Sequence, residues 1–289
     1  MKKITLFFII FNLFVLPSYS FEFFKKTPKM EIKSLIKEHN KALSNHDIGK
    51  VKSFYDENYK STDGFNLDDM SKMLEQTYNA YKNIKYKTKI TSINTTDDWA
   101  LVQLKDKTTA KVYPTEIKEI KKEKMGKLEG LSVYNMYLKK EQGFWKIVQD
   151  DILLEQTSLK YGIANKIDMD LISPLQVQNN QEYDLSLKID KPDNIIALAS
   201  ISREEIVYPP QDYKEKFRKI PEIGELERVV RANNKNKDEY AVASIGLTKV
   251  SVNETQTKAR IEVLGLAYLM KRVNMNKISS GNEILVENK

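Results

Sequence analysis

The sequence predicts an α+β domain followed by an all-β sandwich, and three observations predict it. First, residues 28–81 carry apolar side chains at helical spacing in three capped runs. Second, residues 86–154 switch to strand-type runs separated by short polar turns. Third, nothing after residue 170 has helical periodicity, and β-rich runs follow one another to about residue 273. A chain of 289 residues has room for two ordinary cores.

The clearest element is Leu128–Leu159. Two β-rich runs, each with large apolar residues on both faces, flank Glu141-Gln142-Gly143, a hairpin connection. Such strands sit centrally in a sheet, and the first domain is expected to be built on them.

Taken in order, residues 1–20 read as a secretory signal peptide. Lys2 and Lys3 precede an apolar run from Ile4 to Leu16, and Ser18 and Ser20 supply the small residues for cleavage before Phe21. The run is too short to span a bilayer comfortably, and no later segment is long and apolar enough, so no membrane span is expected after cleavage. There is no cysteine, which excludes disulfides, thiolate metal sites and cysteine nucleophiles. The formal charge of +7 falls to +5 without Lys2 and Lys3, with acids and bases interspersed; this is not a nucleic-acid footprint. The address implied is periplasmic or secreted.

After an aromatic and basic lead-in, Phe21–Lys26, Thr27 caps a first helix with Pro28 in its first turn and Ile32, Leu35, Ile36, His39 and Leu43 on one face. Asp47 caps a shorter second helix. Asn66 caps a third, with Asp69 at the capping-box position and Leu67, Met70, Leu74, Tyr78 and Tyr81 along its stripe. Strands follow at Tyr86–Thr91 and Trp99–Leu104, then a charged insertion over 113–127 leads to the hairpin.

Helix, helix, helix and four strands, with His39-Asn40-Lys41-Ala42-Leu43-Ser44-Asn45-His46-Asp47, Val51-Lys52-Ser53-Phe54-Tyr55, Asp63-Gly64 and Gly143-Phe144-Trp145-Lys146-Ile147-Val148, resembles the nuclear transport factor 2-like superfamily in its SnoaL-like and ketosteroid-isomerase-like branches. The resemblance covers about residues 29–160. It implies a cone: three helices packed on a curved antiparallel sheet with a pocket at the open end. Some members are enzymes; others bind ligands or serve as assembly modules.

The isomerase-like branch places an Asp base near the loop after the second helix. Asp63 lies close, but the base usually comes a few residues earlier, where this chain has Ser61 and Thr62. Asp63 is accounted for by its Asp-Gly turn. Asp150 and Asp151 are adjacent in a strand and must face opposite ways, so they do not form an acid pair, and solvent-facing carboxylates are expected. His39 falls on the apolar stripe and His46 in a turn; neither has a metal-ligand cluster. No catalytic residue, metal ligand or cofactor site is assigned. The pocket candidates are Tyr55, Tyr59, Tyr78, Trp99, Tyr134 and Trp145.

Residues 161–170 read as a linker. In the second domain, 171–276, Pro174 marks an edge strand, Glu182–Ile189 alternate cleanly, residues 209–224 form a long loop with room for a helical turn near 213–219, and 240–250 and 258–273 are the last strands. Asp238-Glu239-Tyr240-Ala241-Val242 resembles the tyrosine corner of immunoglobulin-like sandwiches. The tail 277–289 is polar. The expectation is an exported, non-enzymatic binding or assembly protein with a protein partner or a small apolar ligand and a homodimer contact through the first domain's sheet. The alternatives are an isomerase- or SnoaL-like enzyme acting in the cone and a surface adhesin-like module.

Overall fold

The computed structural model describes residues 27–112, 125–211, 214–252 and 259–276. Residues 1–26, on which the expected signal peptide and aromatic lead-in fall, most of the charged insertion and the polar tail lie outside them.

Three helices open the described chain: α1 (Pro28–Ser44), α2 (Ile48–Lys52) and α3 (Leu67–Ala80). Each starts where the sequence places a cap. The Thr27 hydroxyl accepts from Met30 N, Asp47 accepts from Lys50 N, and Asn66 and Asp69 form a reciprocal capping box. Ile32 and Ile36 of α1 are buried against the sheet, in one cluster with Val102, Leu104, Met136, Leu138 and Ile147.

Four long antiparallel strands carry this cluster: β1 (Lys85–Thr96), β2 (Trp99–Val112), β3 (Gly126–Glu141) and β4 (Phe144–Gly162). The β3–β4 hairpin turns at Gln142 and Gly143, both with positive φ, which suits a two-residue turn. An α+β unit of three helices on an antiparallel sheet is therefore present.

The second half is all-β but not a free-standing sandwich. Its strands are β5 (Met169–Ile172), β6 (Gln176–Val177), β7 (Glu182–Ile189), β8 (Ile196–Glu205), β9 (Arg218–Lys219), β10 (Glu225–Arg231), β11 (Glu239–Val252) and β12 (Ala259–Met275). β12 pairs with β4 from Gly265–Gly162 to Lys271–Gln156, so a single sheet runs β1-β2-β3-β4-β12-β11-β8-β9 through both halves. A three-stranded sheet, β10-β7-β5, packs on the other face of β12, β11 and β8, enclosing Leu171, Leu185, Leu187, Ala199, Ala243 and Ile245. Pro174 separates β5 from β6, and β5 lies at the edge of its sheet. Residues 214–217 are irregular, without the helical turn expected near 213–219.

The stretch 161–170 contains the end of β4, a 3-10 turn (Ile163–Lys166) and the start of β5. At Gly162, with φ 59°, an added Cβ would collide with the Leu264 carbonyl oxygen. The tyrosine corner is not formed. The Tyr240 hydroxyl donates to Glu155 Oε2 of β4 at 2.7 Å instead of returning to its own upstream backbone.

Candidate functional site

The face of β1–β4 that meets the helices carries a buried polar group of side chains. Strand register places them: Asp106, Ser132 and Glu155 are paired neighbours on β2, β3 and β4, and Met136, four residues beyond Ser132 on β3, pairs with Asp150. α1 contributes His39, and the segment after α2 contributes Tyr55 and Tyr59.

Three pairs result. His39 Nε2 and the Tyr55 hydroxyl are 3.2 Å apart. Burial lowers the His39 pKa to about 4, so its ring is neutral at neutral pH. The Tyr59 hydroxyl donates to Asp150 Oδ2 at 2.7 Å. Burial raises the Asp150 pKa to about 6, with Asp63 and Asp151 adding to the rise and the Tyr59 hydrogen bond and Arg272 opposing it. The Tyr134 hydroxyl donates to Asp106 Oδ2 at 3.0 Å. Burial raises the Asp106 pKa, with the nearby Thr88 and Tyr134 hydroxyls pulling the other way. Asp106 Oδ1 is buried without a hydrogen-bond partner among the described residues.

Beyond β4 the polar band continues into the second half. Arg272 of β12 is fully buried and makes a fork onto Asp63, with Nη1–Oδ2 at 3.0 Å and Nη2–Oδ1 at 2.6 Å, and reaches Asp238 Oδ2 at 2.6 Å. Burial opposes the guanidinium charge, but Asp63 and Asp238 outweigh it and hold the pKa above its ordinary value. The same Asp238 accepts from Met275 N through its other oxygen.

Of the sequence-predicted pocket residues, Tyr55, Tyr59 and Tyr134 come together here; the first two meet edge-on with ring centres 4.8 Å apart. Trp145 belongs to the same apolar cluster but not to the hydrogen-bonded group, and Tyr78 and Trp99 join neither. Tyr78 donates to Leu43 O and stacks on His46, within a second cluster around Ile84 and Leu128. Trp99 is half exposed at the β1–β2 turn. Trp145 is buried near the hairpin tip with Nε1 on Glu31 Oε2 at 3.0 Å.

Asp150 is corrected from a solvent carboxylate to a half-buried one. It pairs across from the buried Met136, while Asp151 receives the Thr62 hydroxyl. Asp106, Glu155 and Arg272 are not among the sequence-predicted residues, and Asp238 and Tyr240 are marked only as part of a tyrosine corner. Asp106 had a signal: it lies between Lys105 and Lys107 in a strand, so if the lysines face water the carboxylate faces in. Arg272 had none, since its partner is 209 residues away.

Two clefts open near this band. A 940 Å³ cleft lies between α1, the segment after α2 and the hairpin tip, with Leu35, Glu38, Tyr55, Asp56 and Trp145 among its walls. A 380 Å³ cleft lies on the helix-free face, between the sheet and β5. Among the described residues no group of acids and histidines is arranged to hold a metal ion.

No protein family matches the sequence, and no curated protein does. Solved structures give partial likenesses. Bd1075 of Bdellovibrio bacteriovorus is 21% identical over 42% of this chain and 38% of its own, with a TM-score of 0.33. A putative dehydratase of the NTF2-like family from Streptomyces avermitilis is 13% identical over 43% of this chain and 95% of its own, TM-score 0.34. AclR, a putative hydroxylase of Streptomyces galilaeus, is 19% identical over 42% and 73%, TM-score 0.30. Likenesses this slight carry neither a residue role nor an activity to this chain.

Proposed function

We propose that this is an exported, non-enzymatic protein of binding or assembly, whose first half is an NTF2-like cone. One observation carries the reading. Asp63, the carboxylate nearest the position where the resemblance expects a base, is tied by both oxygens to a buried arginine of the other half. A general base needs a free lone pair aimed at substrate, and this one is committed to joining the two halves. The Tyr59, Tyr134 and Tyr240 hydroxyls likewise point at carboxylates inside the molecule, and the Tyr55 hydroxyl lies against His39.

The assembly part of the reading is a homodimer through the first half's sheet. Its helix-free face presents Leu101, Val133, Tyr137 and Leu154, partly exposed, beside Trp99. Light scattering across a dilution series, with Tyr137→Asp as the disrupting variant, tests it. A monomer at every concentration removes the dimer from the reading.

A second reading, an enzyme acting on a small apolar substrate in the cone, is favoured by the unpartnered Asp106 Oδ1 beside the Tyr134 hydroxyl. A thermal-shift screen with small apolar ligands separates the two. Non-enzymatic function is expected to leave every ligand found in this way chemically unchanged. Conversion of a ligand by the parent, lost in both Asp106→Asn and Tyr134→Phe, would move the assignment to the enzyme class.

A further inference from the structure

Strand register sorts the charges of the first half in a way their order along the chain conceals. Val102 and Leu104 face the helices, so the alternate residues of β2 face away. On β1 and β2 those alternates include Lys85, Lys87, Lys89, Lys105, Lys107 and Lys111, all exposed. None of the six makes an ion pair among the described residues. The same face continues through Lys127 on β3, Lys160 on β4 and Lys271 on β12. Against these nine lysines stand Glu129, paired with Lys127, Asp170 of β5, paired with Lys271, Asp168 near Lys160, and Asp151 of β4, opposite Asn135, so positive charge remains in excess.

The lysines also stand directly opposite one another. Lys87 pairs with Lys107, Lys89 with Lys105, and Lys111 with Lys127, which in turn pairs with Lys160. Like charges in directly opposed positions destabilise a sheet. Lysines on an edge strand guard against edge-to-edge aggregation, which accounts for the three on β1. It does not account for Lys105, Lys107, Lys111 and Lys127 on inner strands.

We infer that this face binds a linear, base-free phosphate polymer. Three features select that partner. The second sheet stands roughly 10 Å above the floor beside β4 and forms the 380 Å³ cleft with Lys107, Glu129, Gln156 and Lys271. A flat bilayer cannot follow that step, whereas a chain can lie along it. The lysine rows contain neither arginine nor an aromatic ring, the groups that stack on bases; the aromatic rings of this face, Tyr137 and Trp99, lie apart from them, beyond the Gln103–Asn135 pair. Opposed lysines lie about 5 Å apart across strands, while side chains on one face of a peptide strand recur only every ~7 Å. A polymer with a charge on every unit matches that density better than an acidic peptide. Lysine meets phosphate as a point charge without fixed geometry, which suits a surface reading charge alone.

The inference deepens the binding reading and rests on it; because Lys105 pairs with Val133 of the proposed dimer patch, the titration is made at a concentration where light scattering shows monomer, so that its failure is distinct from that of the dimer and cone tests. The probe is polyphosphate, titrated into the full-length protein and followed by calorimetry. With about six contacts, affinity should fall roughly a hundredfold for a threefold rise in salt. Lys107→Glu should weaken binding about tenfold and Lys87→Glu/Lys107→Glu further, while Lys50→Glu, on α2, leaves it intact. Lys107→Glu faces Lys87, so its melting temperature should hold or rise; Lys111→Glu, opposite Lys127, is the second variant should the first misfold. No binding at low salt, or unchanged binding by these variants, overturns the inference. Tighter binding to anionic vesicles, polyglutamate or single-stranded DNA of equal charge also overturns it, because each names a different partner.

Discussion

Replacing Arg272 by methionine tests the joint between the two halves. The guanidinium is fully buried, Asp63 and Asp238 are nearly so, and their contacts are 2.6–3.0 Å long. Methionine matches the length and apolar character of the stem but leaves two carboxylates without their cation. Removing one partner of such a cluster costs about 3–5 kcal/mol. At ~2–4 °C per kcal/mol for a domain of this size, the melting temperature should fall by roughly 6–20 °C. Urea unfolding followed by circular dichroism supplies the free energy directly. Asp63→Asn and Asp238→Asn added to Arg272→Met remove the stranded charges while keeping acceptor oxygens, so the triple variant should recover most of the loss. A single variant within about 1 kcal/mol of the parent, or a triple variant no better than the single, would refute a charge-balanced joint.

Other expectations follow from the same packing. The raised Asp150 pKa means that its carboxyl favours the fold fully below about pH 4, and that this contribution is lost as pH rises through 6. Asp150→Asn should therefore match the parent near pH 4 and exceed it at pH 8, by up to ~3 kcal/mol; a pH-independent difference in urea melts would contradict this. Gly162→Ala should cost at least about 1–3 kcal/mol, because the residue has positive φ and lies against the Leu264 carbonyl where β4 meets β12; equal stability in thermal melts would remove that crossing as a constraint. A fragment of residues 27–162 loses the β12 partner of β4, and we expect it to aggregate or to lack a cooperative melt; a sharp two-state transition would show that the halves fold apart. Mass spectrometry of the exported protein should find Phe21 at the mature terminus, and retention of residues 1–20 would end that reading.

Local chemistry was legible in the sequence. Thr27, Asp47 and Asn66 cap helices because their side chains reach backbone amides two or three residues away. Gln142-Gly143 closes the hairpin because the turn needs positive φ at adjacent positions. These decisions involve a few neighbouring residues, so a single sequence contains them. The lysine face and the inward turn of Asp106 were also present, as period-two alternation, but required knowing which face meets the helices. What only tertiary structure decided is pairing across distance. A strand's pattern records that one face is buried, not which strand lies beside it. Thus β4 and β12 look like the last strand of one unit and the last of another, yet they pair and merge the two sheets. Asp63 looks like a turn residue until Arg272, 209 positions later, arrives to neutralise it. Burying a charge demands a partner, but the sequence does not say where in the chain that partner lies.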